Sequence, residues 1–164
     1  MVMDNALASD RNLQLAVFVE RARNQKLPLN ELFQLAENTN AAGQSAQTAE
    51  LYKAWIAYND SNPLLHLAYF NYSVTLRQLG DIPGSINALS ACLKIEPRFG
   101  HANINLGRAY EDAGLNAQAI QQWRSFIEAT AELTPERMSH RLMTLQHIGR
   151  VMEGAGLQEE AETA

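Results

Sequence analysis

The sequence predicts an all-α fold, a solenoid of about three to four stacked helix pairs preceded by an N-terminal helix. Two stretches, NLGRAYEDAGLNAQAI from Asn105 and HIGRVMEGAGLQEEAE from His147, repeat the same order of apolar residues and glycines, and NYSVTLRQLGDIPGSI from Asn71 keeps the outline. Turn glycines recur at 80, 114 and 156, with a weaker copy at 43, and periods of this size are typical of helical arrays. No alternation of apolar and polar residues persists long enough to indicate a strand.

Prolines and glycines divide the chain into five segments. Pro63, Pro83, Pro97 and Pro135 lie at or near predicted helix starts, where a missing N–H group costs nothing. We predict an N-terminal capping helix or partial repeat, a degenerate repeat, a standard repeat, a repeat with an extended second helix, and a repeat with an extended first helix and a truncated second helix. These segments span residues 1–26, 27–63, 64–97, 98–134 and 135–164.

The first two segments have the least regular pattern. Residues 4–25 place apolar side chains at helical spacing, and this helix ends before Pro28 because the residue preceding a proline avoids the α region. The degenerate repeat turns at Gly43, and its second helix, residues 44–60, presents Trp55 among its apolar side chains.

The next two repeats are more regular. Helices are predicted over residues 64–79 and 83–95, then over 98–113 and 116–132. The turn glycine of the following repeat comes 42 residues later, where the preceding interval is 34. We therefore expect the two helices on either side of Pro135 to be longer by about one turn each.

The C-terminal end of the sequence falls inside a predicted repeat. The chain stops at Ala164, soon after the second helix of the last repeat begins. A terminal repeat needs a polar cap over its last apolar face, and a stub of this length is too short to supply one. We therefore expect an N-terminal fragment of a longer array, whose exposed C-terminal repeat face permits self-association. The alternative is a short capping turn.

Each repeat is similar to the tetratricopeptide repeat (TPR), a helix–turn–helix unit of 34 residues. Gly107 and Ala119 fall where small residues let the paired helices approach closely, and Tyr110 and Trp123 fall beside that contact. The resemblance implies a right-handed superhelix, an α-solenoid, in which the first helices of the pairs line a concave groove that receives an extended peptide.

Composition argues against several classes of function. The 164 residues carry 13 basic and 18 acidic side chains, a net charge of −5, which argues against a protein that neutralises the phosphates of duplex nucleic acid. The longest apolar runs, such as LQLAVFV from Leu13, are shorter than the roughly 20 residues that cross a bilayer. The N-terminal MVMDNALASD also lacks a signal-peptide pattern. We expect a cytoplasmic protein without membrane contact.

The sequence contains no catalytic constellation. The histidines at 66, 101, 140 and 147 are dispersed, no His-x-x-x-His or Cys-x-x-Cys motif occurs, and the single Cys92 is interpreted as a packing residue. Glu111 and Asp112 are adjacent, so on a helix they point in different directions and make a poor acid–base pair. We predict no enzymatic activity, no metal site and no cofactor for this chain.

A row of polar residues is the best candidate for a binding site. The repeat position that faces the groove in TPR proteins holds Asn71, Asn105 and His147, and also Gln34 if Gly43 is aligned with the other turn glycines. An asparagine donates and accepts hydrogen bonds at once, so it can clamp a peptide unit regardless of the peptide's sequence. The alternative is that these polar side chains only face water.

Two arginines and one aromatic residue extend the candidate site. Arg108 and Arg150 lie further round their helices, where they can meet acidic or phosphorylated ligands. Alternatively, they can pair locally with Glu111 and Glu153, three residues later. Phe70 can add an apolar anchor. The expected partner is therefore a protein or a peptide.

A longer stretch resembles a narrower family. The order LYKAWIAYNDSNPLLHLAYFNYSVTLRQLGD, a standard repeat, then PERMSHRLMTLQHIGRVMEGAGLQEEAE, over about residues 45–164, is similar to the N-terminal region of bacterial proteins of the SPINDLY and O-linked N-acetylglucosamine transferase family. The resemblance implies an asparagine ladder on an arm that recruits substrates for a glycosyltransferase domain absent from this chain. The alternatives are a free-standing adaptor or chaperone-like repeat protein and a self-assembly segment.

Overall fold

The computed structural model describes residues 2–130 and 134–154, apart from the side chains of residues 2–12 and 137. Over these residues the chain forms eight α-helices and no strand, which confirms the all-α prediction. The helices are α1 (Val2–Arg23), α2 (Leu29–Ala41), α3 (Ser45–Tyr58), α4 (Leu65–Gln78), α5 (Ile82–Ile95), α6 (Gly100–Asp112), α7 (Asn116–Ala129) and α8 (Pro135–Gly154).

The helices divide into two compact units, Met1–Gly80 and Asp81–Ala164, which we call unit 1 and unit 2. In unit 1, α3 packs against α1, α2 and α4. In unit 2, α6 packs against α5, α7 and α8, and α7 also contacts α8. One helix in each unit therefore contacts the other three.

Three of the predicted turn glycines adopt the same backbone conformation. Gly43, Gly80 and Gly114 have φ angles of 73°, 79° and 75°, a left-handed region that favours glycine because it has no Cβ. After α6, the Gly114 amide donates to the Glu111 carbonyl, and the Leu115 amide donates to the Tyr110 carbonyl, both at 2.8 Å. These bonds satisfy carbonyl groups that the end of a helix leaves unpaired. Gly156, the fourth predicted turn glycine, lies outside the described residues.

The core of unit 1 is built around Trp55 on α3. Its side chain is fully buried, and its indole Nε1 donates to the carbonyl oxygen of Leu27 at 2.7 Å, so the ring ties α3 to the segment between α1 and α2. Asn59 extends this tie, since its Nδ2 donates to the carbonyl oxygens of Trp55 at 2.8 Å and Ala22 at 3.4 Å. The N-terminal helix is therefore held against the degenerate repeat. The buried residues of this cluster are Ala22, Leu27, Leu32, Ala36, Leu51, Tyr52, Trp55, Leu65 and Ala68.

The core of unit 2 is built around Trp123 on α7. The indole is fully buried, and its Nε1 donates to the carbonyl oxygen of Ile104 at 3.2 Å. A Cβ atom added to Gly107 would overlap the indole ring, so the absence of a side chain at this position lets α7 pack on α6. Ala119, Ile148, Val151 and Met152 complete the buried cluster. The predicted close approach at Gly107 and Ala119 is therefore present.

The additional length of the last repeat lies in α8 and not in α7. We expected both helices to be longer by about one turn, but α7 has 14 residues, as α5 has, whereas α8 has 20 residues against the 13 of α6. At the end of α7, the guanidinium of Arg141 donates to the carbonyl oxygens of Ile127 at 2.8 Å and Thr130 at 3.1 Å. These bonds from α8 cap the carbonyl groups that a longer α7 would have used. The truncated second helix predicted for the last repeat lies outside the described residues.

In residues 2–130 and 134–154, every helix is too short or too polar to cross a bilayer.

We expect Gly107→Ala to lower the free energy of unfolding by about 1–3 kcal/mol, because the added methyl group must displace the Trp123 indole. Gly149→Ala is the matched control, since Gly149 occupies the equivalent repeat position but a Cβ there would meet nothing within 4 Å. The control should be neutral or stabilising by up to about 1 kcal/mol, because alanine has the higher helix propensity. Urea unfolding followed by circular dichroism measures both changes. Equal losses in the two variants would contradict the packing described at Gly107.

Candidate functional site

Three candidate residues of unit 2, Arg108, His147 and Arg150, interact with one another and with Glu111 where α6 and α8 are neighbours, and Asn105 lies on α6 one turn before Arg108. We call the set formed by Asn105, Arg108, Glu111, His147 and Arg150 the α6–α8 surface. Its best-defined interaction joins Arg150 of α8 to Glu111 of α6, with Nη1–Oε1 and Nη2–Oε2 distances of 2.5 and 2.7 Å. The local pairing of Arg150 with Glu153 expected from the sequence is therefore replaced by a bidentate pair between helices. Both side chains reach solvent, with 55% of Arg150 and 25% of Glu111 exposed.

The charges of this surface act on one another. The hydrogen bond from Arg150 is the largest cause that holds the pKa of Glu111 below its ordinary value, and the charges of Arg150, His147 and Arg108 act in the same direction. The same bond raises the pKa of Arg150. Glu111 is therefore an ionised carboxylate whose two oxygens are both occupied by one guanidinium.

Arg108 differs from Arg150 in its surroundings. It is half-buried on α6, and none of the described residues forms a hydrogen bond or ion pair with its guanidinium. Its positive charge nevertheless lowers the pKa values of both Glu111 and His147. Arg108 is thus the basic group of this surface that can receive an anionic ligand.

His147 is held by packing. Its ring stacks on the Trp123 indole with centroids 5.2 Å apart and planes 17° from parallel. Burial is the main cause that lowers the pKa of His147, and the charges of Arg108 and Arg150 lower it further, while Glu111 opposes them. The imidazole is therefore neutral near pH 7, and Nη2 of Arg150 lies 3.3 Å from its Nδ1.

The other candidate residues are less constrained. Asn105 is half-buried on α6, one turn before Arg108. In unit 1, Asn71 is half-buried and donates to the Leu67 carbonyl of its own helix at 3.0 Å. Gln34 is exposed, with its Nε2 3.4 Å from the Asn38 side-chain oxygen. Phe70 is half-buried on α4.

The structure also brings together residues that the sequence analysis treated as unrelated. His101 and His140 are 39 residues apart, but their rings meet edge to face with centroids 4.6 Å apart. In the described part of the chain, no three His, Cys, Asp or Glu side chains are placed to hold a metal ion. Cys92 is buried, and burial, followed by the charge of Glu96, raises its pKa to about 12, so its thiol is not an activated nucleophile.

Comparison with known proteins places the chain among helical repeat proteins. No protein-family model matches it. Over 105 residues it is 30% identical to the small glutamine-rich tetratricopeptide repeat-containing protein 2 of Mycosarcoma maydis, a match that covers 62% of this chain. The chain spans only 30% of the length of that curated relative.

Solved structures show the same fold. A crystal structure of MamA matches with a TM-score of 0.68 and 18% identity, over 98% of this chain and 87% of that one. The nearly identical TPR-like repeats of a Podosopora anserina protein described as a kinesin light chain match with the same TM-score and identity, over 98% and 88% of the two chains. These similarities confirm the prediction of a TPR-like helical repeat fold.

We expect the free energy of unfolding to fall as the pH is lowered from about 7.5 to about 5.5. Burial is the main cause that lowers the pKa values of His140 and His147, so in this window the unfolded chain binds more protons than the folded chain, and stability must decrease as protons are added. Urea unfolding at several pH values measures the change, and proton NMR of the imidazole rings measures each pKa. Replacing both histidines by glutamine should reduce the pH dependence. An unchanged dependence would show that these two rings do not cause it.

Proposed function

We propose that this chain is a protein–protein interaction module, and that the α6–α8 surface binds an acidic side chain of an extended peptide. The main support for this proposal is that the guanidinium of Arg108 forms no hydrogen bond or ion pair with any of the described residues. Beside it lie a neutral imidazole and a carboxylate that Arg150 already occupies. An incoming carboxylate therefore meets a local excess of positive charge in a chain whose net charge is −5.

The fold and the neighbouring amide support the same proposal. In TPR-like arrays the first helices of the pairs line an extended binding surface, and α6 and α8 are first helices of their pairs. Asn105 lies one turn from Arg108, so its amide can bond the backbone of a peptide whose side chain reaches the guanidinium. In unit 1, Asn71, Gln34 and Phe70 are separate candidate contacts for a partner.

Arg108→Gln should weaken the binding of an acidic peptide about 10- to 150-fold, since a charge-assisted hydrogen bond contributes about 1.5–3 kcal/mol. The peptide is selected from a random library displayed on phage, and its affinity is measured by fluorescence polarisation. Arg124→Gln is the matched control, because Arg124 is an exposed arginine of the second helix α7 and carries the same charge. Equal losses of affinity in the two variants would show that only the net charge of the chain matters. Unchanged affinity in both variants would show that Arg108 does not contact the peptide.

The asparagine row has its own test. We expect Asn71→Ala combined with Asn105→Ala to leave helicity and melting temperature nearly unchanged, because the bond of Asn71 to the Leu67 carbonyl lies within one helix and supports no contact between helices. In the Asn105→Ala single variant, binding of the selected peptide should weaken, because the peptide backbone loses a hydrogen-bond partner beside Arg108. Unaltered affinity would show that Asn105 faces only water.

Two narrower functions than protein binding in general are each supported by a different similarity. The similarity to a small glutamine-rich TPR protein supports a tetratricopeptide repeat protein, and a free-standing adaptor or chaperone-like protein is one form that such a protein can take. The resemblance of residues 45–164 to SPINDLY-like proteins is the support for the substrate-recruiting arm of a glycosyltransferase. The gene sequence that follows the codon for Ala164 distinguishes the two, since only the second requires a catalytic domain there.

Self-association through α8 is a second candidate function. Four large apolar side chains of this helix are exposed, namely Met138, Leu142, Met143 and Leu145. Such a row of exposed apolar side chains is costly in water and is covered when two copies pair. Sedimentation of the wild-type chain and of Leu142→Glu tests it, and a wild-type monomer at all concentrations would reject it.

A further inference from the structure

A cavity of about 430 Å³ lies within unit 2, beside the start of α6. The cavity is lined by residues of the segment between α5 and α6, by residues of α6 and α7, and by residues at the start of α8. The side chains that give it its chemical character are Glu96, Phe99, His101, Phe126, Glu136 and His140. None of them belongs to the α6–α8 surface.

His140 is the most constrained polar group of this cavity. Its side chain is 9% exposed, and its ring packs edge to face on His101 with centroids 4.6 Å apart. A Cβ atom added to Gly100 would overlap the ring, so the imidazole lies directly on the backbone at the start of α6. No described residue forms a hydrogen bond with this imidazole, and its nitrogens are not among the fully enclosed polar atoms that lack a partner, so they are accessible from the cavity.

The charge around His140 favours a cation. Burial is the main cause that lowers the pKa of His140, and the neighbouring His101 lowers it further, while Glu136 acts in the opposite direction. The imidazole is therefore a neutral ring with a nitrogen that can accept a hydrogen bond. Two carboxylates, Glu96 and Glu136, line the cavity against one guanidinium, that of Arg98. One oxygen of Glu96 accepts a bond from the Arg98 backbone amide at 3.3 Å, which leaves its other oxygen for a ligand.

We propose that this cavity binds the side chain of an arginine from a partner protein. A guanidinium presents a planar fork of donors, which fits the Glu136 carboxylate and an imidazole acceptor at the same time. Phe99 and Phe126 supply apolar walls for the hydrocarbon stem and aromatic rings for the cation. The site is distinct from the α6–α8 surface and takes the opposite charge, so it does not depend on the acidic-peptide proposal.

The test is an NMR titration of the full chain with the capped peptide Gly-Arg-Gly and with its citrulline counterpart, which has the same shape without the charge. The imidazole signals of His101 and His140 report binding. We expect saturable shifts of both signals with the arginine peptide and at least about tenfold weaker binding of the citrulline peptide. Equal binding of the two peptides, or arginine binding that leaves both histidine signals unmoved, would overturn the proposal.

Two substitutions complete the test. Glu136→Gln should weaken binding of the arginine peptide about three- to tenfold, while Glu128→Gln, the same change at an exposed site on α7, should leave it unaltered. Arg108→Gln should also leave it unaltered, which separates this cavity from the acidic-peptide site. Circular dichroism verifies that each variant is folded. Equal effects of Glu136→Gln and Glu128→Gln would reject Glu136 as the partner of the cation.

Discussion

The contact between the Trp123 indole and the backbone of α6 organises unit 2. The indole occupies the space that a side chain at Gly107 would fill, and its N–H group donates to the Ile104 carbonyl. His147 of α8 stacks on the same indole ring. Trp123 therefore sets the distance between α6 and α7 and also orients the His147 side chain of α8. The position of the charged groups next to His147 follows from this packing.

The parts of the fold that depend on local backbone chemistry were predictable from the sequence. Gly43, Gly80 and Gly114 could be assigned to helix ends because a left-handed residue there excludes most side chains. Gly107 and Ala119 could be assigned to the close approach of two helices, with Trp123 beside it, because helices pack closely only where side chains are small. Both inferences need only residue types and a repeat period.

The candidate sites were less predictable because they depend on how neighbouring helices are offset. Arg150 pairs with Glu111 and His101 meets His140, and each pair is 39 residues apart, about one helical turn less than the 42-residue interval between the aligned turn glycines. Repeat alignment therefore indicates equivalent residues, whereas contacts join residues displaced by a turn. The predicted length of α7 was wrong for a similar reason, because the hydrogen bonds that cap the carbonyl groups at its end come from Arg141 of α8.

The two tryptophans have a practical consequence. The sequence contains two, and each is fully buried in a different unit, with its indole N–H bonded to a carbonyl oxygen of that unit. Their fluorescence emission is therefore an intrinsic optical signal for each half of the molecule. Variants that keep only Trp55 or only Trp123 allow the loosening of one half to be followed while the other remains intact.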